Sequence, residues 1–186
     1  MAKVSTMEEL FIDEIRDLYD AETQLTKALP KMSKAATSEE LRDAFDDHLM
    51  QTENQVERLR RIFELSGEKP TGKKCQAMTG LIKEGDDFVS DSDETPVRDA
   101  GLIAAAQKVE HYEISGYGSA RTHAELLGND EAARLLNETL REEKEADEKL
   151  NQLAKGMINS EAAGMAQDGG TRVPSMQRPM GTSSRM

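Results

Sequence analysis

Apolar residues recur three and four positions apart over most of the chain, which is the spacing of one face of an α-helix. The first segment that follows this pattern begins with the capping box Thr6-Met7-Glu8-Glu9, in which a threonine and a glutamate satisfy free backbone amides at a helix start. Its apolar positions are Phe11, Ile15, Leu18, Leu25, Leu29 and Met32. The pattern predicts a first helix over about residues 7–35.

Three further long helices are predicted in the same way. The second begins after Ser38 and ends near Gly67, a residue type that suits the end of a helix. The third begins at Thr95-Pro96, an N-cap followed by a proline that suits the first turn, and it runs to Leu127. The fourth begins after Asn129 and continues to about Ile158.

The lengths of the connections predict how these helices are arranged. The first and third helices are followed by very short connections, so each forms an antiparallel hairpin with the next helix. Residues 68–95 form a long crossover that carries a short amphipathic helix of its own. Two hairpins joined by a long crossover indicate an all-α protein with a ferritin-like antiparallel four-helix bundle. We expect residues 1–162 to form this bundle.

The last part of the chain has a different composition. Residues 163–186 are polar and rich in Gly, Pro, Ser and Met, which is unlike the helices before them. We interpret this segment as a tail outside the core. It is either flexible or docks on another subunit or a partner.

Net charge narrows the choice of partners. The chain has 36 acidic and 24 basic residues, a net charge of −12, which disfavours binding to nucleic acid or to an anionic membrane surface. It has no secretory signal pattern, no apolar run of transmembrane length, and a single cysteine, Cys75. These features predict a cytoplasmic protein for which cations are the natural ligands.

Several acids occupy positions where the helical pattern requires apolar residues. Glu22 lies on the apolar face of the first helix, Glu110 and Glu113 lie on that of the third, and Glu143 and Asp147 lie on that of the fourth. Residues three or four apart share a helix face. All five acids are near the middle of their helices, so an antiparallel bundle would bring them to one level.

Burying five carboxylates together without compensation would be prohibitive in free energy. Two divalent cations would return a charge of about +4 and leave the site nearly neutral, and oxygen ligands favour iron or manganese. Two other interpretations remain. The acids lie on a solvated face, since the fourth helix is rich in glutamate, or they form buried ion pairs with bases such as Lys108 or Arg141.

For the second helix, the sequence does not settle which residues face the site. Its inward face has Thr52 and Val56 at this level, while Glu53 is turned about 90° and His48 about 50° away from it. Glu53 is either an additional metal ligand or a surface acid, and His48 is either a core histidine or a ligand. In addition, Tyr19 and Tyr117 project towards the level of the carboxylates, as core residues, as hydrogen-bond donors to the site or as a radical relay.

Three segments resemble the YciE/YciF stress-protein family of bacteria. They are EIRDLYDAETQL at residues 14–25, AAAQKVEHYEISGYG at 104–118 and EEKEADEKL at 142–150. The resemblance implies a ferritin-like, rubrerythrin-related bundle, a dimer, and a role in osmotic, bile or oxidative stress. The usual ferritin-like pattern has a Glu-x-x-His motif on two helices. Here Ala146 and Val56 stand where those histidines are expected.

Two functions follow from these observations. The first is a dinuclear iron or manganese site that oxidises Fe(II) and consumes peroxide or dioxygen, with Glu22, Glu113 and Glu143 as ligands. Glu110 and Asp147 would be additional or bridging ligands, and Glu53 an optional sixth. The second is a non-enzymatic dimeric scaffold whose acids bind a structural metal or none.

Overall fold

The computed structural model describes residues 4–164, and over that range the secondary structure is helical without strands. The predicted tail therefore lies outside the described residues, except for its first two positions. The helices are α1 (Met7–Ala35), α2 (Glu39–Leu65), α3 (Gln76–Asp91), α4 (Pro96–Leu126), α5 (Asp130–Leu153), a π-helical turn (Ala154–Ile158) and α6 (Asn159–Ala162).

The helix starts follow the capping chemistry of the sequence. In α1 the Glu9 amide donates to Thr6 Oγ1 at 3.1 Å, and the Glu9 carboxylate accepts from the Thr6 amide, so the capping box is present. Ser38 and Asn129 cap α2 and α5 through side-chain oxygens. Thr95 makes no such bond, and α4 begins on Pro96 instead. The short helix predicted in the crossover is confirmed as α3.

The end of the fourth predicted helix differs in detail from the prediction. The α-helical hydrogen bonding of α5 ends at Leu153, and a single π-helical turn continues the chain to Ile158 before α6 begins. Gly156, a poor helix former, lies in this turn. Ile158 is buried in the core at the end of the turn.

Side-chain contacts show that neighbouring long helices run in opposite directions. Near one end Arg16 of α1 pairs with Glu68 after α2, and near the other end Thr37 contacts Asp99 of α4. Between α2 and α5, Gln55 contacts Glu142, and farther along α2 Arg61 contacts Glu131, which lies earlier in α5. The crossover helix α3 packs against α1 and α4. None of the helices in residues 4–164 is long and apolar enough to span a membrane.

The buried apolar side chains form two separate cores. One contains Phe11, Ile15, Phe63, Tyr117 and Leu136, and the other contains Leu25, Phe45, Leu102 and Leu150 among others. Between them lies a layer of buried polar side chains, to which α1 and α5 contribute one each, α4 two and α2 three. Its members are Glu22, His48, Thr52, Gln55, Glu110, Glu113 and Glu143. This layer contains four buried glutamates and a buried histidine, so it is the candidate functional site.

Asp99 joins the start of α4 to the start of α2. Its carboxylate is 2% exposed and accepts from the Thr37 amide, the Thr37 hydroxyl and the Ser38 amide at 2.6–2.8 Å. A negative charge at a helix N-terminus also interacts favourably with the helix dipole.

We expect Asp99→Ala to lower the free energy of unfolding by about 3 kcal/mol, because it leaves these donors without a partner. Urea unfolding followed by circular dichroism measures the change. Asp93→Ala, which removes an exposed acid from the loop before α4, is the control and is expected to have little effect. Equal stability of the two variants would contradict this role for Asp99.

Candidate metal centre

The four long helices each place a buried, potentially metal-binding side chain in the polar layer. His48 comes from α2, Glu110 and Glu113 come from α4, and Glu143 comes from α5; each offers a ligand atom, and these atoms lie within 4.8 Å of one another. Glu22 of α1 adjoins this group and interacts with the Glu113 carboxyl. Glu22, Glu113 and Glu143 have no exposed surface.

Helix geometry explains why these residues meet. Glu110 and Glu113 are three residues apart, so they project from the same face of α4 on consecutive turns. The other helices contribute from positions near their centres. Because neighbours run antiparallel, their central residues share one level in the molecule. The apolar residues before and after each site residue fill the two cores and hold the polar layer between them.

Many polar atoms in this layer have no hydrogen-bond partner. Buried polar groups in native proteins are nearly always paired, so several orphans in one place require an explanation. The unpartnered atoms are Glu22 Oε2, His48 Nε2, Gln55 Oε1, Glu110 Oε2, both carboxylate oxygens of Glu113, and Glu143 Oε2. All are acceptors except for the histidine nitrogen, which donates or accepts according to its tautomer. A set of lone pairs that share one buried space is an arrangement that binds cations.

A second set of side chains orients the carboxylates. The Tyr117 hydroxyl, itself fully buried, donates to Glu22 Oε1. On the opposite side the Gln55 amide donates to Glu143 Oε1 and, at 3.1 Å, to Glu142. Such outer partners fix the orientation of metal ligands and tune their basicity.

Glu142 is in turn held by an arginine. Arg58 binds both of its carboxylate oxygens, through Nη1 at 2.5 Å and Nη2 at 2.7 Å. The pKa of Arg58 is raised, chiefly by its hydrogen bond to Glu142. The Arg58–Glu142 pair therefore fixes the Gln55 amide, which in turn orients Glu143.

The electrostatics of the layer favour neutral carboxyls unless a cation is bound. Burial, reinforced by the Glu143 charge, raises the pKa of Glu22 to about 8. Burial also raises the pKa of Glu110 to about 8, with the charge of Glu22 adding to the effect. The pKa values of Glu113 and Glu143 are raised well above the usual range, first by burial and then by neighbouring carboxylates. Protons and metal ions therefore compete for the same oxygens.

The charges match a pair of divalent cations. Four buried glutamates carry −4 when ionised, and a neutral His48 adds nothing, so two divalent ions would make the layer neutral. Carboxylate oxygens with one imidazole nitrogen are ligands suited to iron and manganese. The residues present therefore fit such a metal pair, and the unpartnered carboxylate oxygens and His48 Nε2 are the atoms that would bind it.

Two predicted ligands lie outside the buried group. Asp147 is half-buried, accepts from the Gln107 amide at 3.0 Å and lies 3.6 Å from His111 Nε2. It is close enough to Glu110 for its charge to raise the Glu110 pKa. Glu53 is exposed and lines a surface groove with Tyr19 and Arg60. The structure does not bring Glu53 to the layer, because α2 turns its 48, 52 and 55 positions inward instead.

The sequence prediction did not include Gln55, and it left His48 as either a core histidine or a ligand. The buried residues of α2 include Leu41, Phe45, His48, Thr52, Gln55, Leu59 and Ile62. These follow each other at alternating steps of four and three, which is the heptad spacing of a packed helix. The prediction gave Thr52 and Val56 as the inward residues at this level; Thr52 lies on this line and Val56 is next to it. This alternation is the one signal in the sequence that favours His48 and Gln55 as inward residues, but neighbouring lines on α2 also satisfy a helical period, so it does not decide between them.

The two tyrosines differ in their surroundings. Tyr117 reaches the layer, whereas Tyr19 packs edge-on against Phe63 and accepts from Arg60 at the surface. Cys75 is buried, caps α3 through its sulfur, and lies 3.0 Å from the Tyr112 hydroxyl.

We expect Tyr117→Phe to weaken Mn²⁺ binding by about tenfold, because Glu22 loses the donor that orients it. Equilibrium titration of the metal-free protein with Mn²⁺ measures the change. Tyr19→Phe removes a hydroxyl that lies outside the polar layer and is the matched control. Equal affinities in the two variants would contradict an orienting role for Tyr117.

Comparisons with known proteins identify relatives. Residues 6–163 match the family described as "Domain of unknown function (DUF892)". The chain is 48% identical to Protein YciF of Escherichia coli (strain K12) over 164 residues, which cover 88% of this chain and 99% of YciF.

Solved structures agree with these matches. The crystal structure of the E. coli stress protein YciF superposes with a TM-score of 0.81 at 48% identity, covering 84% of this chain and 99% of that one. YcfI from Rhodopseudomonas palustris, described as a putative structural protein, gives 0.78 at 47% identity over 80% and 95% of the two chains. A protein from Xanthomonas campestris shares the fold at 18% identity, with a TM-score of 0.68 and coverage of 86% and 99%. The chain therefore belongs to the DUF892 family and is a relative of the stress protein YciF.

Proposed function

We propose that this protein binds a pair of divalent iron or manganese ions in the polar layer between its two cores. The observation that carries the proposal is the convergence of unpartnered oxygen and nitrogen atoms from four buried glutamates, His48 and Gln55. The ligands would be Glu22, His48, Glu110, Glu113 and Glu143. Asp147, half-buried beside the group, is a candidate for an additional or bridging ligand. Glu53 is too far toward the surface to take part in this arrangement.

The proposal extends to the architecture. Four long helices with antiparallel neighbours and a long crossover support a ferritin-like four-helix bundle over residues 1–162, with residues 163–186 as a separate tail. A homodimer or higher homo-oligomer in the cytoplasm, binding neither nucleic acid nor membrane, remains part of the same proposal, and the net charge of −12 supports the last point.

The residues of the chain define what the site can do. The glutamates supply the charge, and Tyr117 and Gln55 hold two of them in fixed orientations. The apolar cores above and below limit the access of water. Bound iron or manganese supplies one-electron redox chemistry. His48, whose Nε2 lies 3.4 Å from Glu110 and 3.8 Å from Glu143, is placed to bind a metal ion or to hold a proton.

The proposed reaction is the oxidation of Fe(II) by peroxide or dioxygen. With peroxide as the oxidant, two Fe(II) ions each lose one electron, the O–O bond breaks, and two protons are consumed as water forms. Fe(II) is a substrate in this reaction, and a stress-response protein that performs it would remove both iron and peroxide.

One observation favours a second function, a scaffold without catalysis. Since burial raises the pKa of the layer glutamates, they are neutral near pH 7 without metal, and the fold is then free of a large buried charge. The relative YcfI is described as a putative structural protein. In this function the acids bind a structural ion or none.

Metal content and Fe(II) oxidation distinguish the two functions. Protein purified without chelator is analysed for iron and manganese, and the metal-free protein is then given Fe(II) under dioxygen or peroxide. The proposed function predicts two metal ions per chain and an absorbance band from ferric iron that appears faster than in buffer. Metal binding with an unchanged oxidation rate would support the scaffold, and absence of binding would overturn the metal centre itself.

A further inference from the structure

A cavity opens from the surface to the polar layer between α2 and α5. Its volume is about 160 Å³. Its inner lining includes His48 and Glu110, which are 6% and 2% exposed, and its outer lining includes Asp47, Glu145 and Lys149, which are exposed. The remaining lining is small or apolar, including Ala44 and Ala146, except for Gln51, whose Oε1 lies 3.2 Å from His48 Nδ1. The cavity therefore joins solvent to the buried ligand atoms.

The inner end carries unpartnered polar atoms. His48 Nε2 and Glu110 Oε2 have no hydrogen-bond partner, although both side chains are more than nine-tenths buried. The two groups are adjacent, with Nε2 lying 3.4 Å from Glu110 Oε1. A small ligand that moved along the cavity would meet these two unpartnered atoms first.

The size and charge of the cavity select the ligand. A cavity of about 150 Å³ holds one benzene ring or a few waters, so a larger organic substrate is excluded. At the outer end two carboxylates, Asp47 and Glu145, outnumber one ammonium, Lys149. An acidic opening with low-dielectric walls concentrates cations and raises their association rates.

We infer that this cavity is the access route by which divalent cations reach the polar layer, with His48 and Glu110 as the first ligands they meet. The inference rests on the proposed metal centre and adds a path and an order of contact. The path passes between α2 and α5. The groove on the α1–α4 side, lined by Asp13, Asp17 and Ser115 among others, has no residue of the polar layer in its lining. The alternative, that neutral oxidants and not cations use this path, is distinguished by the experiment below.

Two pairs of variants of the full chain test the route. Ala146→Leu narrows the cavity, and Ser115→Leu adds the same bulk to the α1–α4 groove. Glu145→Lys reverses a charge at the opening, and Glu148→Lys makes the same change on an exposed position of α5 outside the cavity lining. Circular dichroism confirms that each variant is folded, and Ala44→Leu replaces Ala146→Leu if that variant is not.

The readout is the rate and final amount of Co²⁺ uptake, followed by stopped-flow absorbance and by metal analysis. We expect Ala146→Leu and Glu145→Lys each to slow uptake by about tenfold without lowering the final amount, while both controls match the wild type. The effect of Glu145→Lys should shrink at high salt, because screening weakens steering.

The possible failures are distinguishable. If Ala146→Leu and Glu145→Lys both take up Co²⁺ as fast as the wild type, the access route is wrong and the metal centre still stands. No uptake by the wild type at equilibrium would overturn the metal centre and the route together. Slowed oxidation by peroxide with unchanged Co²⁺ uptake would overturn the assignment to cations and indicate a path for neutral oxidants.

A second readout needs no metal. Hydrogen–deuterium exchange at the imidazole C2 position, measured by mass spectrometry, reports solvent access to His48 in the metal-free protein. We expect His48 to exchange in the wild type and to slow markedly in Ala146→Leu, with the exposed His111 unchanged as an internal reference. A His48 rate that Ala146→Leu leaves unchanged would contradict a route past this residue.

Discussion

The metal-free protein is expected to lose several kcal/mol of stability between about pH 5 and pH 8, and Mn²⁺ is expected to restore it at the higher pH. The pKa values of Glu22 and Glu110 lie near 8 in the folded protein, against an ordinary value of 4.5. Between these values the folded state binds more protons than the unfolded state does. Stability from these groups is therefore complete below about pH 4.5 and is lost as the pH rises through 8.

Urea unfolding of chelator-treated protein at a series of pH values measures this dependence. Most proteins have carboxylates with lowered pKa values and become more stable over the acidic half of this range, so the expected slope has the opposite sign. Added Mn²⁺ replaces the protons and should stabilise most at pH 8. A metal-free protein that gains stability from pH 5 to pH 8 would contradict the buried, proton-holding layer.

Glu113→Gln is expected to have opposite effects on binding and on stability. The side chain is fully buried at the centre of the layer, and neither carboxylate oxygen has a partner. Its replacement removes one charge and one ligand, so Mn²⁺ affinity should fall by about a hundredfold, which is about 2.7 kcal/mol. The same change replaces a buried carboxyl, whose ionisation is unfavourable in the folded protein, with an amide that stays neutral, so the metal-free variant should be more stable than the wild type at pH 8.

Glu53→Gln is the matched control for this prediction, because it makes the same chemical change on an exposed position of α2. Calorimetric titration with Mn²⁺ and urea unfolding at pH 8 are measured for both variants. We expect Glu53→Gln to resemble the wild type in both measurements. Loss of Mn²⁺ binding in Glu53→Gln, with binding retained in Glu113→Gln, would contradict the proposed metal site in the polar layer. It would instead support Glu53 as the metal ligand from the second helix.

The long helices and most of the layer were predictable from local signals. Periodicity at steps of three and four reports a helix wherever it occurs, and capping residues such as Thr6 and Ser38 mark the starts. An acid within such a pattern is conspicuous because burying it is costly, which is how Glu22, Glu113 and Glu143 were found. These inferences need only the residues within one helix.

The second helix shows where local signals end. Several overlapping lines of residues on α2 satisfy a helical period, and they differ by a rotation that the sequence of α2 does not decide. Packing against α1 and α5 chooses the line with His48 and Gln55 and leaves Glu53 in solvent. Because of this rotation of α2, the side chain that reaches the layer is the imidazole of His48 and not the carboxylate of Glu53.

By itself the sequence determined the helical class, the long crossover, the family, and an inward carboxylate set on three helices, because each depends on spacing within a segment. The tertiary structure alone decided which side of α2 faces the layer and that Tyr117 and Gln55 hold Glu22 and Glu143. Likewise, it decided that Asp99 binds the start of α2 through Thr37, 62 residues away in the chain. It also decided that a cavity between α2 and α5 reaches His48. Each of these is a contact between residues far apart in the chain, and only the packing of whole helices brings such residues together.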